Sequence, residues 1–466
     1  MPMTPEQKLE LDLRDLWRVW GGIEAYATLD AKAMMERLRA HKEDAFCEVS
    51  NFAGDGKMIC TRDGYDAIID LAERLRDSLP VPDDYSVKEL ADVIRSQIIR
   101  ATVEEKEDEP TLARVLAAAV EQANKNHTIR TYHFPCVITQ SDKPPQFRIG
   151  PVAFTSSTAF PALALKEIEA YIDGSADKEQ AAKRVEEFHE YCRDQGWVAT
   201  VTVPQCSEES SKRRAEVAVN VAINLLRLAF GIPHGRRMRL AHSAPSNPRR
   251  TEYATQVGNE LNFIWSSKGR EGALIEDGWH LAMDEWKGYW ISGAHLVSTA
   301  LEGIRSEVAN RVIDALTWFG EAAFESVPGI QIVNFVAALE RLTTMGRFGV
   351  HSFCSNVALL AYEKEEEFEK TYWNAHAIYM ALSHVMHGTL SPTDPTFLKT
   401  LRLAHDITRT ALFRGLEIHC VLDDGGKQSD LADLRNFLTK QTSKWAPVLK
   451  KLGDQVKKKK ETPGGS

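Results

Sequence analysis

The chain has 466 residues, a formal net charge of −9, 43% apolar and 26% charged residues, the balance of a globular protein long enough for two or three hydrophobic cores. No uncharged apolar run approaches bilayer length, and the opening MPMTPEQKLELDLRDLW mixes charges instead of setting a basic segment before an apolar one, so no membrane association and a cytoplasmic location are expected. The acidic balance excludes a surface that coats nucleic acid as a whole; any such site must be local.

The seven cysteines, Cys47, Cys60, Cys136, Cys192, Cys206, Cys354 and Cys420, are scattered and never spaced C-x-x-C. That pattern predicts reduced, mostly buried thiols, with neither a disulfide framework nor a cysteine-based metal site. No metal and no cofactor are expected: phosphate-loop, dinucleotide-binding, zinc-protease and serine-hydrolase signatures do not occur.

Taken in chain order, residues 1–125 read as a helical region interrupted at Asn51 to Arg62, where Gly54 and Gly56 break periodicity. Ile68, Leu71 and Leu75 recur at helical spacing within Tyr65 to Leu79, and the charged run Val103 to Thr111 reads as a solvated turn. Residues 126–260 change texture into an α+β unit. TYHFPCVIT and QFRIGPVAF, separated by SDKPP, predict a hairpin. Trp197, Ala199, Val201 and Val203 alternate as a further strand, with a charged helical stretch at Leu163 to Gln195 before it and an apolar helix at Glu216 to Phe230 after it.

Residues 261–445 return to helix. Leu301, Ile304, Val308, Val312, Leu316, Phe319 and Ala323 form one apolar stripe, read as a single long helix ended by Pro328 and Gly329. Phe335, Leu339 and Leu342 mark the next helix, and Leu403, Ile407 and Ala411 the last. Residues 446–466, with Lys457 to Lys460, read as a basic flexible tail. The fold class expected is α+β, predominantly α-helical, with a C-terminal helical bundle.

The densest positive stretch is His234 to Arg250, with Arg236, Arg237, Arg239, Arg249 and Arg250 on a glycine- and proline-containing loop. Loop arginines suit phosphate recognition, so these are candidate RNA-binding residues; the alternative is that they answer the acidic excess elsewhere. The stretch has no aromatic partners for base stacking.

From Arg311 onward the segments RVIDALTWFGEAAFE, VNFVAALERLTT, SNVALLAYEKEEEFEKTYWNAHAIYMALSHVMHGT and FLKTLRLAHDITRTALFRGLEI resemble the Apea-like branch of the HEPN domains. The resemblance covers roughly Gly278 to His419 and implies a HEPN-like helical bundle, metal-independent RNA cleavage or RNA binding, homodimerisation through the bundle, and partner proteins in bacterial antiviral defence, abortive infection or stress response. The family's motif, tyrosine-x-x-arginine-serine running to histidine-glycine, reads here Tyr379, Leu382, Ser383, His387 and Gly388. Glu340 also stands at a family-typical position.

Leucine thus replaces the arginine that would stabilise charge on the phosphate, a loss of about 10²- to 10³-fold in rate. The spacing R-x4-H recurs at Arg184/His189, Arg237/His242 and Arg414/His419. Arg414 and His419, on the last resembling helix, are candidates to work with His387, although residues five apart on a helix point roughly 140° away from each other. Three readings follow: an RNA-engaging effector or accessory protein with a degenerate motif, a non-catalytic dimerising scaffold, and an active endoribonuclease with a relocated arginine. His387 followed by Gly388 reads equally as a helix C-cap.

Overall fold

The computed structural model describes residues 46–50, 57–104, 112–241, 251–257, 260–265, 273, 275, 279–281, 286–344, 349–361, 365–423 and 429–461. These fall into two units, 1–130 with 203–214 and 131–202 with 215–466. The protein is predominantly helical with a small antiparallel sheet.

In the first unit, β1 (Phe46–Ser50) pairs antiparallel with β2 (Lys57–Thr61). This corrects the expectation of helix and loop alone before residue 62. FCEVS and KMICT are five-residue runs holding valine, phenylalanine, isoleucine and threonine, too short for a helical stripe but suited to a strand pair. Helices α1 (Arg62–Ser78), α2 (Val87–Glu104) and α3 (Leu112–Asn126) follow. Ile68, Leu71, Leu90, Ile94, Val115 and Ala119 are buried together, one stripe from each helix. A 3-10 turn at Pro82–Asp84 joins α1 to α2.

The sheet has the strand order β4 (Gln146–Ile149), β5 (Val152–Ser156), β6 (Trp197–Cys206), β3 (Thr128–Val137), β7 (Arg239–Leu240). The expected hairpin is therefore misplaced. TYHFPCVIT and QFRIGPVAF are not neighbours, because β6 lies between them, and the true hairpin is inside the second segment, with Ile149 opposite Val152. Gly150 makes that tight turn at φ +56°, and a Cβ there would stand 2.7 Å from the Ala294 carbonyl oxygen.

The charged stretch after β5 is two longer helices behind the short turn α4 (Phe160–Leu163): α5 (Leu165–Gly174) and α6 (Lys178–Gln195). Asp177 caps α6 by accepting from the Gln180 amide, and this cap marks the break between them. The apolar helix α7 (Glu208–Phe230) follows β6, then the turn α8 (Ile232–Gly235) and, past β7, the antiparallel pair β8 (Thr251–Val257) and β9 (Glu260–Trp265).

The C-terminal helices of the second unit are α9 (Lys287–Ala300), α10 (Glu307–Phe324), α11 (Pro328–Thr343), α12 (Val350–Ala361), α13 (Glu365–Met386), α14 (Phe397–Leu422) and α15 (Leu431–Glu461). The stripe from Leu301 to Ala323 does not lie on one helix: α9 ends at Ala300, and Ser306 starts α10 by accepting from the Ala309 amide. A serine followed by a charged turn outweighs apolar periodicity there. Pro328 likewise begins α11. Phe319, Phe335, Leu339, Phe353, Phe368 and Leu416 are buried in the bundle. The chain expected to be a flexible tail from 446 stays helical to Glu461, through Lys457 to Lys460. No helix among the described residues is long and apolar enough to cross a membrane.

Candidate functional site

The family-like motif occupies the end of α13. Gly388 adopts φ +65°; its amide donates to the Val385 carbonyl at 3.1 Å and the Thr389 amide to the His384 carbonyl at 3.0 Å. These two bonds are a Schellman cap, so glycine is required by the backbone whatever else the motif does. His387 is exposed, Leu382 and Ser383 are half-buried, and Tyr379 packs its ring 5.2 Å from that of Phe353.

Arg414 and His419 do not join His387 within the chain. The His387 turn precedes the start of α14, whereas Arg414 and His419 lie about 25 Å and 33 Å along that helix at 1.5 Å per residue. They also face apart from each other, as their five-residue spacing dictates. Arg414 is half-exposed and donates to Glu417 at 2.6 Å. His419 is fully buried and cannot meet a substrate phosphate. Glu340, half-buried on α11, has its carboxyl pushed up by burial.

Of the candidate RNA-binding arginines, Arg236 and Arg237 are exposed beside the exposed His234, at the end of α8. Arg239 is half-buried in β7. Arg249 and Arg250 lie outside the described residues. The turn bearing Arg236 and Arg237 is held from below by Arg227, which is buried and donates through Nε to the Met238 carbonyl at 2.9 Å and through Nη1 to Asn224 Oδ1 at 2.5 Å. Its guanidinium also lies 4.1 Å from the ring centre of Phe324. Burial pushes its pKa down to about 9. Gly320 makes room for this arrangement, since a Cβ there would lie 2.7 Å from Arg227 Nη1.

A cluster that the sequence pattern does not reveal surrounds His419. His419 Nε2 lies 3.0 Å from Asp423 Oδ2, and the His295 ring on α9 sits 5.0 Å from the His419 ring. Burial lowers the His419 pKa to about 4, outweighing the pull of Asp423 toward the charged form. Burial works to raise Asp423, but hydrogen bonds from Ser429 and Ser306 outweigh it and hold the carboxyl below its ordinary value. Ser306 Oγ donates to Oδ2 at 2.8 Å, and the Ser429 amide to Oδ1 at 3.0 Å. The one readable signal is the spacing of His419 and Asp423, four apart and hence on one helix face; His295 is far away in sequence.

The first unit, to which sequence patterns assign no function, carries a polar cleft of about 750 Å³ lined by Ser86, Glu89, Asp92, Gln122, Glu208 and Lys212, among others. Glu89 is pushed up by burial, against the attraction of Arg130, and His127 Nε2 stands 3.7 Å from it. Burial also lowers the His127 pKa. Both directions favour neutral groups, so the contact is not an established ion pair. Nearby, Arg214, buried, donates to Asp84 at 2.6 Å.

The four described buried cysteines, Cys136, Cys192, Cys206 and Cys354, are free thiols, each pushed up by burial and thus unreactive. No family model, curated protein or solved structure matches this chain.

Proposed function

We propose that this chain is a binding protein that does not cut RNA: an effector or accessory protein with a C-terminal bundle, HEPN-like by resemblance, that engages RNA through phosphate contacts made by the arginine-bearing turn ahead of the bundle. The observation carrying this reading is the separation of the catalytic candidates. Leu382 stands where an arginine would neutralise the phosphate, Arg414 is tied to Glu417, and His419 is sealed in the bundle. His387 is exposed, and a single imidazole without a charge-stabilising partner lacks the larger part of the catalytic effect. Phosphate contacts fall to Arg236 and Arg237, which share one exposed turn. A role in bacterial antiviral defence or stress response follows from the family resemblance alone.

A second reading, a homodimerising scaffold, is favoured by the outer face of α13. Ala377, Met380, His384 and His387 are exposed at helical spacing, and Met386 beside them is 68% exposed. An exposed methionine and alanine among histidines, with exposed Met386 next to them in sequence, offer a partly apolar surface suited to a second copy or a defence-system partner protein.

The test uses the full chain with labelled RNA and no metal. Wild type should bind with a steep salt dependence and cut nothing, and Arg236→Ala with Arg237→Ala should weaken binding and reduce the salt slope by about one for each phosphate no longer neutralised. Binding unaffected by the two substitutions, with dimers broken by Met380→Asp, supports the scaffold instead. RNA cleavage abolished by His387→Ala overturns both.

A further inference from the structure

We propose that His295, His419 and Asp423 form a binding site for one divalent transition-metal ion, zinc being the best match to their ligand atoms, which clasps α9 to the end of α14.

Each residue offers one ligand atom, and the three atoms all lie within 4.8 Å of one another. Two imidazole nitrogens and one carboxylate oxygen are a borderline donor set that suits zinc over calcium or magnesium. Zinc bonds of about 2.0–2.1 Å would draw tetrahedral ligands to roughly 3.3 Å apart, a small closure of side chains already facing one another.

The surroundings point to a ligand independently of that spacing. His419 is 0% exposed, yet neither of its ring nitrogens makes a well-directed hydrogen bond, and the buried Nε2 of His295 has none. Buried polar atoms are almost always satisfied; His419 Nε2 faces only the Asp423 carboxylate at 3.0 Å, and the other two nitrogens have no hydrogen-bond partner, a concentrated shortfall that a cation would answer. The carboxylate is also oriented as ligands are. Ser306 Oγ holds Asp423 Oδ2 while Ser429 holds Oδ1 through its amide and hydroxyl, the outer contacts that fix a coordinating carboxylate.

The ligands come from elements far apart in sequence. His295 lies on α9; His419 and Asp423 are one helical turn apart at the end of α14. Ser306, which caps α10, ties a third helix into the same cluster. A cation here would therefore fasten three helix ends. Three protein ligands leave a fourth position for water or for the exposed Glu302, whose carboxylate interacts electrostatically with both His295 and Asp423.

The experiment strips full-length protein with chelator, dialyses it and titrates zinc by calorimetry, with cobalt(II) as the spectroscopic probe. One equivalent should bind. Cobalt should give visible ligand-field bands without a thiolate charge-transfer band, and zinc should raise the melting temperature in a concentration-dependent way. His295→Gln and Asp423→Asn should each abolish stoichiometric binding. Ser306→Ala, which leaves every ligand in place, should weaken it about 10- to 100-fold. Should Asp423→Asn fail to fold, the half-exposed His295→Gln, checked by circular dichroism, carries the test. No uptake by wild type, uptake unchanged in His295→Gln, or a thiolate band with cobalt would each overturn the proposal.

Discussion

Two arginines on the same helix show how differently the two units bury charge. Arg214, in the first unit, meets the carboxylate of Asp84 at 2.6 Å. Arg227, in the second, is just as enclosed but directs its hydrogen bonds to neutral groups, the Met238 carbonyl and the Asn224 amide oxygen, and rests against the Phe324 ring. The carboxylates divide in a parallel way. Glu89 in the first unit has burial as its dominant influence and is pushed toward the neutral form; Asp423 in the second is held by serine donors and kept charged. Donors pre-aimed at a buried oxygen decide whether it keeps its charge. The second unit thus retains a buried anion beside two imidazoles, whereas the first holds an acid and a nearby buried imidazole that are both biased toward neutrality.

The largest effect that would break this comparison is at the arginines. Arg227→Ala should cost about 4 kcal/mol, because it leaves the Met238 carbonyl buried without its donor and empties a packed site. Arg214→Ala should cost about 2–3 kcal/mol, since Asp84, its side chain 27% exposed, can recover water. Urea unfolding gives the magnitudes, and hydrogen exchange should place the destabilisation in α9–α14 for Arg227→Ala and in α1–α3 for Arg214→Ala. A larger cost for Arg214→Ala would mean that neutral acceptors hold a buried guanidinium less tightly than we argue.

A smaller effect tests the serine donors. Ser306→Ala removes both the α10 cap and the hydroxyl on Asp423, and should cost about 1–2 kcal/mol. Ser306→Thr should restore most of it, because threonine supplies the same oxygen. Equal destabilisation in both variants would assign the effect to packing.

Sequence periodicity suffices where a helix buries one stripe against its neighbours. Ile68 and Leu71 in α1, or Phe335 and Leu339 in α11, stand where their spacing places them. It misleads where a local cap competes with the stripe, as at Ser306, and where partners are remote. The strand β6 enters the sheet between β3 and the β4–β5 hairpin after two intervening helices, and alternation within a strand carries no information about its neighbour. The candidate sites follow the same rule. Gly388 is legible as a cap, because a Schellman motif is local. The turn of Arg414 away from His419 is legible from five-residue spacing. The assembly of His295 with His419 and Asp423 is not, since it arises only when α9 packs beside the end of α14.

The smallest effect concerns Glu89. Glu89→Gln should change stability by less than about 1 kcal/mol at acidic pH, where the amide imitates the protonated acid that burial favours. Its influence should emerge in the pH response. His127, with its folded pKa lowered, contributes fully above its ordinary value of 6.5 and loses stability as pH falls through the window below it. Glu89, with its folded pKa raised above 4.5, acts in the opposite sense: its contribution is full at low pH and is lost as pH rises through its folded value. Between these limits the two opposing slopes flatten the wild-type profile. Glu89→Gln removes one of them, so the first unit of the variant should become more acid-labile below pH 6.5, read by hydrogen exchange in α2 and α3. An unchanged pH profile would show that Glu89 titrates alike in the folded and unfolded chain, so that burial does not set its charge and the contrast with Asp423 fails.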